Sequence, residues 1–332
     1  MDMTQFHKSM RRLQRYITPA RRRAAPIHES QRACFSSDGN GKITVTAHHT
    51  HPPMFAYFEI EGQGQGTVTI SPGRLRDLPS SGQGTFSISP DALTVTVNGK
   101  DTVLASEGST FPSLPTVQGK PFRIRLDFIS KIGFAVNRQD RLYSNIHIHR
   151  RNGAYYAVAS DRFRLAETEI EADGIDELLL PAAALAKIGN IGYVAGVKGD
   201  SWVKLTSPRG TTVMVYLDLV GSYPYYYVLF KDTALSAVCV NRDDLINAVK
   251  TTAWSPAEPV VLTTDPCRLT VRAETSQTTI DCTCTVDVKL SSRYLLDALA
   301  HSAEKVLICV KASAVEVTSP SGVRHLIAPL PS

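Results

Sequence analysis

Tyr155-Tyr156-Ala157-Val158-Ala159-Ser160-Asp161-Arg162-Phe163-Arg164-Leu165-Ala166 is the stretch on which the reading of this 332-residue chain turns. Tyr155 to Ala159 are apolar, with aromatic and β-branched members, and read as a strand. Polarity changes abruptly at Ser160-Asp161-Arg162. Ser and Asp favour turns because their side-chain oxygens bond nearby backbone N–H groups. An extended pattern resumes through Arg164-Leu165-Ala166. The stretch is therefore predicted to be a strand, a charged corner and a second strand.

Working outward, the same alternation of strands with short helices recurs three times. In the first segment Phe6, Met10, Leu13 and Ile17 make one apolar helical stripe that Thr18-Pro19 ends. Ala33 to Ile60 alternates and breaks at Asp38-Gly39-Asn40-Gly41, a hairpin signal. Gly62-Gln63-Gly64-Gln65-Gly66 has no following Lys-Ser/Thr and reads as a flexible turn, not a phosphate cradle. A short helix at Ser71–Leu78 precedes strands, and Phe111-Pro112-Ser113-Leu114-Pro115 is an extended exit.

The second segment opens with a helical stripe of Ile124, Phe128, Ile132, Ala135 and Val136. The strands around the corner follow. Leu179-Leu180-Pro181 leads into a helix at Ala182–Ile188, and Ser222-Tyr223-Pro224-Tyr225-Tyr226 closes the segment. In the third, Asn241 is an N-cap for Leu245–Thr252, and Ser291 or Ser292 caps Tyr294–Ala300. Repetition on this scale indicates three like domains, 1–117, 118–234 and 235–332, not one long α/β sheet.

Composition narrows the class. Apolar residues make up 43% of the chain, enough for packed cores, and no apolar run is long enough to span a membrane. The six cysteines show no C-x-x-C spacing and read as reduced, mostly buried residues. Net charge is +5, but Lys8, Arg11, Arg12, Arg15, Arg21, Arg22 and Arg23 cluster with no acid between them. A local field of that sign suits a polyanion. His48-His49-x-His51 and His147-x-His149 lack zinc-ligand spacing, and the latter pair is expected to face solvent or a sheet partner. No G-x-S-x-G elbow or catalytic acid–base pair stands out.

The corner resembles the V-A-T-D-G-H-R-L-A corner of the bacterial sliding clamp, the β subunit of DNA polymerase III. Val158, Ala159, Asp161, Arg164, Leu165 and Ala166 match it; Ser160 replaces Thr, and Arg162-Phe163 replace Gly-His. Further matches follow in order. Pro26-Ile27 is similar to P-I-L, Phe111-Pro112-Ser113-Leu114 to F-P-N-L, and Leu179-Leu180-Pro181 to I-V-P. Tyr223-Pro224-Tyr225-Tyr226 is similar to F-P-D-Y. Leu290–Leu299 resembles F-N-x-x-Y-L-L-D-A-L, and Leu326–Ser332 resembles V-V-M-P-M-R-L. The departures are Ser291 for Asn, Ala328 for Met and Pro331-Ser332 for Arg-Leu.

The resemblance implies an α+β fold of three similar clamp domains, each two helices backed by antiparallel sheets. It implies a head-to-tail ring dimer around double-stranded DNA, without cofactor, metal or catalytic residue. It further implies a peptide-binding pocket for DNA polymerase, clamp loader and repair proteins. Carried over, the pocket would use Ser160, Arg162, Phe163, Arg164, Leu165, Pro224, Val228, Leu229, Ser291, Tyr294, Ala312, Pro329 and Leu330. DNA phosphates would meet Lys8, Arg11, Arg12, Arg15, Arg22, Arg74, Lys131, Lys187, Lys250 and Arg293. Such a processivity factor would act in the cytoplasm, at the nucleoid. One alternative is a clamp-like regulator or decoy that binds replication proteins without encircling DNA. A second is a metal-dependent hydrolase on a repeat scaffold.

Overall fold

A computed structural model describes residues 1–17, 32–108, 110–189, 192–218, 221–265, 268–281, 286–320 and 322–331. The chain divides into two compact units, 1–126 with 183–218 and 127–182 with 219–332, so the middle third of the sequence contributes to both. The first third holds α1 (Met3–Ile17), β1 (Ala33–Asp38), β2 (Lys42–Thr50), β3 (Pro53–Glu61), β4 (Gln63–Ile70), α2 (Pro72–Arg76), β5 (Gly84–Ser89), β6 (Ala92–Val97) and β7 (Lys100–Ala105). Next come β8 (Lys120–Arg125), α3 (Ile129–Ile132), a 3-10 turn at Gly133–Ala135, β9 (Asn145–Arg151), β10 (Ala154–Ser160), β11 (Arg164–Ile170) and β12 (Ala172–Asp173). β13 (Glu177–Pro181), α4 (Ala182–Ile188), β14 (Tyr193–Lys198), β15 (Trp202–Thr206), β16 (Thr212–Tyr216) and α5 (Val228–Lys231) follow. The last third is β17 (Ser236–Asn241), α6 (Arg242–Thr252), β18 (Pro259–Asp265), β19 (Arg268–Arg272), β20 (Gln277–Asp281), β21 (Asp287–Ser291), α7 (Ser292–Ala300), β22 (Lys305–Val310), β23 (Val315–Thr318) and β24 (Val323–Ile327).

In the first unit the strand order is β8-β14-β15-β16-β3-β2-β1-β4-β5-β6-β7. α1 lays its stripe on this sheet: Met3, Phe6, Met10 and Leu13 are buried, and Phe6 meets the Phe86 and Phe58 rings at 5.0 and 6.4 Å. Burying one such aromatic stabilises the fold by about 1.5–3 kcal/mol. Pairings are antiparallel except where β4 meets β5 in parallel at Gly64↔Ile88. That pairing explains the glycine run, which forms a strand and not a flexible turn. Gly64 has φ +89°, and a Cβ there would lie 2.0 Å from the Ile88 carbonyl oxygen. Only glycine fits this approach in this conformation.

The segment opening at Lys120 also departs from expectation. Ile124 belongs to β8 and not to a helix; Phe122, Ile124 and Leu126 are buried at a period of two while Arg123 stays exposed. Their ladder to β14, itself unforeseen, sets that period. A helical spacing read from Ile124 to Phe128 joins the end of a strand to the start of the short helix α3.

The second unit has an eight-stranded sheet, β13-β9-β10-β11-β24-β23-β22-β17, and a four-stranded sheet, β20-β19-β18-β21. α6 and α7 pack on a core that includes Leu245, Val249, Leu262, Leu295, Leu299 and Ile308. Asn241 caps α6 as expected: its side chain accepts bonds from the backbone N–H of Asp243 and Asp244 at 2.8 and 3.2 Å. Ser291 caps α7 through Tyr294 N–H. Cys34 is buried, but Cys239 is exposed because Val238 and Val240 take the inward face of edge strand β17. Cys267, Cys282 and Cys284 lie outside the described residues. Among the described residues no helix is long and apolar enough to cross a membrane, and no cluster of His, Cys, Asp and Glu could hold a metal.

Two substitutions check this account by chemical denaturation. Asn241→Ala should cost about 1 kcal/mol, and Asn241→Asp should cost less. Gly64→Ala should cost more than about 1 kcal/mol, because neither its φ nor its space suits a side chain.

Candidate functional site

The corner between β10 and β11 is built by its own side chains. The two strands pair antiparallel up to Ser160↔Leu165. Ser160 Oγ donates to the Arg164 carbonyl at 2.8 Å and accepts from Arg162 N–H at 3.1 Å. Asp161 Oδ1 accepts from the N–H groups of Phe163 and Arg164 at 3.0 and 2.9 Å. These bonds hold Arg162 at φ +80°, a left-handed conformation rare outside glycine.

Successive residues of β11 then point to opposite faces. Arg164 goes one way and is 7% exposed. Its guanidinium bonds Asp161 Oδ2 at 3.0 Å, Asp297 Oδ2 of α7 and the Phe134 carbonyl at 2.8 Å. It also lies over the rings of Tyr294 (4.5 Å) and Phe134 (5.2 Å). An open cleft of about 770 Å³ runs here, lined by Phe134, Asp161, Phe163, Arg164, Arg293, Tyr294 and Asp297 among others. Burial, with the Asp161 carboxylate next, raises the Tyr294 phenol pKa. Behind this cleft His325 is 1% exposed with neither ring nitrogen hydrogen-bonded. Burial, then the charges of His301 and Arg164, push its imidazole down to about 3.

Leu165 goes the other way. It joins Val158, Tyr223, Tyr226, Ala314 and Leu326 in a buried apolar cluster, against which Leu142, Tyr143, Leu179, Tyr227, Leu229 and Phe230 pack. The predicted pocket residues therefore divide. Phe163, Arg164 and Tyr294 share the cleft, Leu165 and Leu229 share the apolar cluster, and Ser160 and Ser291 hold backbone. Pro224, Val228, Ala312, Pro329 and Leu330 are exposed. The terminal segment is nonetheless pinned beside the corner: Ala328 N–H donates to the Phe163 carbonyl, and Leu330 N–H to the Lys289 carbonyl, each at 2.8 Å.

Sequence reasoning missed an aromatic cleft of about 760 Å³ behind the Tyr-rich loop. His147 and His149 line it. They meet their sheet partners, as expected, His147 Nε2 pairing with Glu177 of β13 at 2.9 Å and His149 stacking on Tyr156 of β10 at 6.1 Å, and they also stack on one another at 4.8 Å, with Tyr223 over His147 at 4.7 Å. Tyr226 Oη donates to buried Glu167 and pairs with His149 Nε2, both at 2.6 Å. Burial lowers the pKa of both histidines and raises those of Tyr223 and Tyr226. The one available signal was the two-residue spacing of the histidines, which fixes a common face but not what covers it.

The predicted phosphate-binding cations also differ among themselves. Lys8, Arg11 and Arg15 are exposed on α1, whereas Arg12 is half-buried. Arg74 donates to the Ala105 carbonyl at 2.9 Å and so braces its own unit. Lys187 is half-buried, and desolvation lowers its pKa. Lys250 and Arg293 are exposed, Lys131 is half-buried, and Arg22 lies outside the described residues.

A mixed α+β chain of mostly antiparallel sheets with few helices, organised in this order, has the fold of the DNA sliding clamps. The chain is similar to the DNA polymerase III subunit beta of Pseudomonas aeruginosa, at TM-score 0.80 and 16% identity over 100% of this chain and 99% of that one. It is similar to the sliding clamp of Caulobacter crescentus at TM-score 0.78 and 20% identity, covering 100% and 99%. A Pseudomonas aeruginosa clamp bound to griselimycin matches at TM-score 0.79 and 16% identity, covering 100% and 98%. No protein-family profile matches the sequence, and no curated protein matches it at a significant level.

Burial of neutral His325 sets a pH dependence. An unfolded histidine takes a proton near pH 6.5, and the folded one resists until about 3. This contribution is complete above pH 6.5 and is lost as pH falls, by up to about 1.4 kcal/mol per pH unit. Urea unfolding of His325→Leu across that window should show a shallower loss than the parent.

Proposed function

We propose that this chain is a divergent member of the β-subunit family and serves as a non-catalytic sliding clamp that encircles double-stranded DNA and tethers replication and repair proteins. The observation that carries the reading is end-to-end agreement of fold, 100% of this chain against 99% of a clamp at TM-score 0.80. Exposed cations on α1 supply charge for phosphates without regard to base sequence, as a sliding ring requires. Strands β7 and β20 end their sheets in the strand orders, and such edges can pair with a second copy of the chain. Three like segments, 1–117, 118–234 and 235–332, doubled in a homodimer, would complete the ring.

The Leu165 and Leu229 cluster is the anchor for short clamp-binding peptides of polymerase, clamp loader and repair proteins. It joins apolar walls to a few polar groups of the corner, which is what a peptide anchor needs. A cytoplasmic, nucleoid-associated protein fits this role. The altered terminal residues, Ala328 for Met and Pro331-Ser332 for Arg-Leu, favour a second reading, a clamp-like regulator that binds the same partners without encircling DNA.

Light scattering after size exclusion, then loading onto nicked circular DNA, separates the two. A clamp should be a dimer of the 36.2 kDa chain that stays on circles and slides off once they are linearised. A persistent monomer with no retention, still able to bind peptides, would replace the clamp by the regulator. Reversing Lys8, Arg11 and Arg15 to Glu should flatten the log–log salt dependence of DNA binding by about 0.9 for each phosphate no longer neutralised. Leu165→Ala with Leu229→Ala should weaken peptide binding by at least about tenfold in fluorescence anisotropy, since truncating a central apolar anchor costs about 2 kcal/mol.

A further inference from the structure

We infer that Arg162 determines which peptides the corner accepts: it lies on Tyr143 as a polar lid tied to Asp140, and it favours peptides carrying a carboxylate beside their apolar anchor. This rests on the peptide-binding reading above and specifies its ligand.

The backbone comes first. Left-handed φ at a long side chain carries a steric cost that glycine would not. The chain accepts that cost here, with Arg162 N–H held by Ser160 Oγ. Such an outlier persists where its surroundings over-determine it, and it raises the question of what the side chain does.

The side chain answers it. The Arg162 guanidinium lies 5.2 Å above the centre of the Tyr143 ring, and one of its nitrogens pairs with Asp140 Oδ2. Asp140 is a prepared partner. Its other oxygen accepts the N–H groups of Leu142 and Tyr143 at 2.9 and 3.0 Å. The Tyr143 N–H above all, then that of Leu142 and the Arg162 cation, hold its carboxyl below the ordinary range. Tyr143 in turn packs on the cluster that contains Leu165 and Leu229. A cation thus covers the aromatic shelf of the apolar anchor site.

The consequence for a ligand is an exchange of partners. An uncharged apolar peptide must leave Tyr143 covered or separate Arg162 from Asp140 without replacing the pair. A peptide with a carboxylate next to its anchor offers Arg162 a new partner, while Asp140 keeps its two backbone bonds. Arg162 is 62% exposed, so the exchange occurs near water and its effect is modest and salt-sensitive.

Two labelled pentapeptides that differ only in charge, Gly-Leu-Asp-Leu-Phe and Gly-Leu-Asn-Leu-Phe, test this by fluorescence anisotropy on the full chain. The parent protein should prefer the Asp peptide by about two- to fivefold, and less so in about 0.5 M salt. Arg162→Gly should erase the preference and bind the Asn peptide more tightly than the parent does. Its thermal midpoint should match or exceed the parent's, since glycine relaxes the backbone. Arg162→Gln should erase the preference alone. Equal binding of both peptides by the parent, or an unchanged preference in Arg162→Gly, with binding still lost in Leu165→Ala plus Leu229→Ala, would overturn the role of Arg162 alone. No binding of either peptide to the parent or to Arg162→Gly would overturn this role together with the peptide-binding reading.

Discussion

A guanidinium withdrawn from water needs carboxylates and carbonyls arranged around it, and the second unit is arranged around Arg164. Its partners come from separate parts of the sequence: Asp161 from the corner itself, Phe134 from the turn after α3, and Asp297 and Tyr294 from α7. Burial of such a charge without its partners costs several kcal/mol, so the partners must be in place together. The same residue fixes β11, whose ladder to β24 joins the corner to the last strand. The apolar cluster on the opposite face inherits its position from that strand, because Leu165 must point away from wherever Arg164 points.

The two faces of β11 divide the labour. One carries the ionic anchor, the stacked Phe134 and His301 rings at 4.7 Å, and buried neutral His325. The other carries an apolar site rimmed by polar groups, with Arg162 at its edge. Rigidity on the first face fixes the geometry of the second, since a strand paired along both edges keeps its side chains in place. In the first unit glycine performs the complementary task, allowing β4 and β5 backbones to approach where any side chain would collide.

Much of the fold was legible because its signals are local. The stripe of Phe6, Met10 and Leu13, the Asp38–Gly41 hairpin, the Asn241 and Ser291 caps and the Ser160-Asp161 turn each depend on residues within one or two turns of chain. Misreadings occurred where a distant strand decided the outcome. β8 is extended because β14 pairs with it, and the glycine run enters strand β4 from Gln63 because β5 and β1 lie alongside. Of the candidate site, the corner residues were legible by their order and spacing. Their separation onto two faces was implicit in the strand period, yet which face carries the cleft depends on α7 and the turn after α3.

The sequence by itself determined the corner, the caps, the helical stripe and the cationic surface of α1, because hydrogen bonds and periodicity over a few residues specify them. Only the tertiary structure decided that Arg74 braces the Ala105 carbonyl and Lys187 is half-buried, that the His147 and His149 pair stacks on tyrosines, and that Arg162 reaches Asp140. The physical reason is common to all of these. A side chain's type gives what it can bond, but its exposure and partners come from elements far away in the chain, and those enter only when the sheets are assembled.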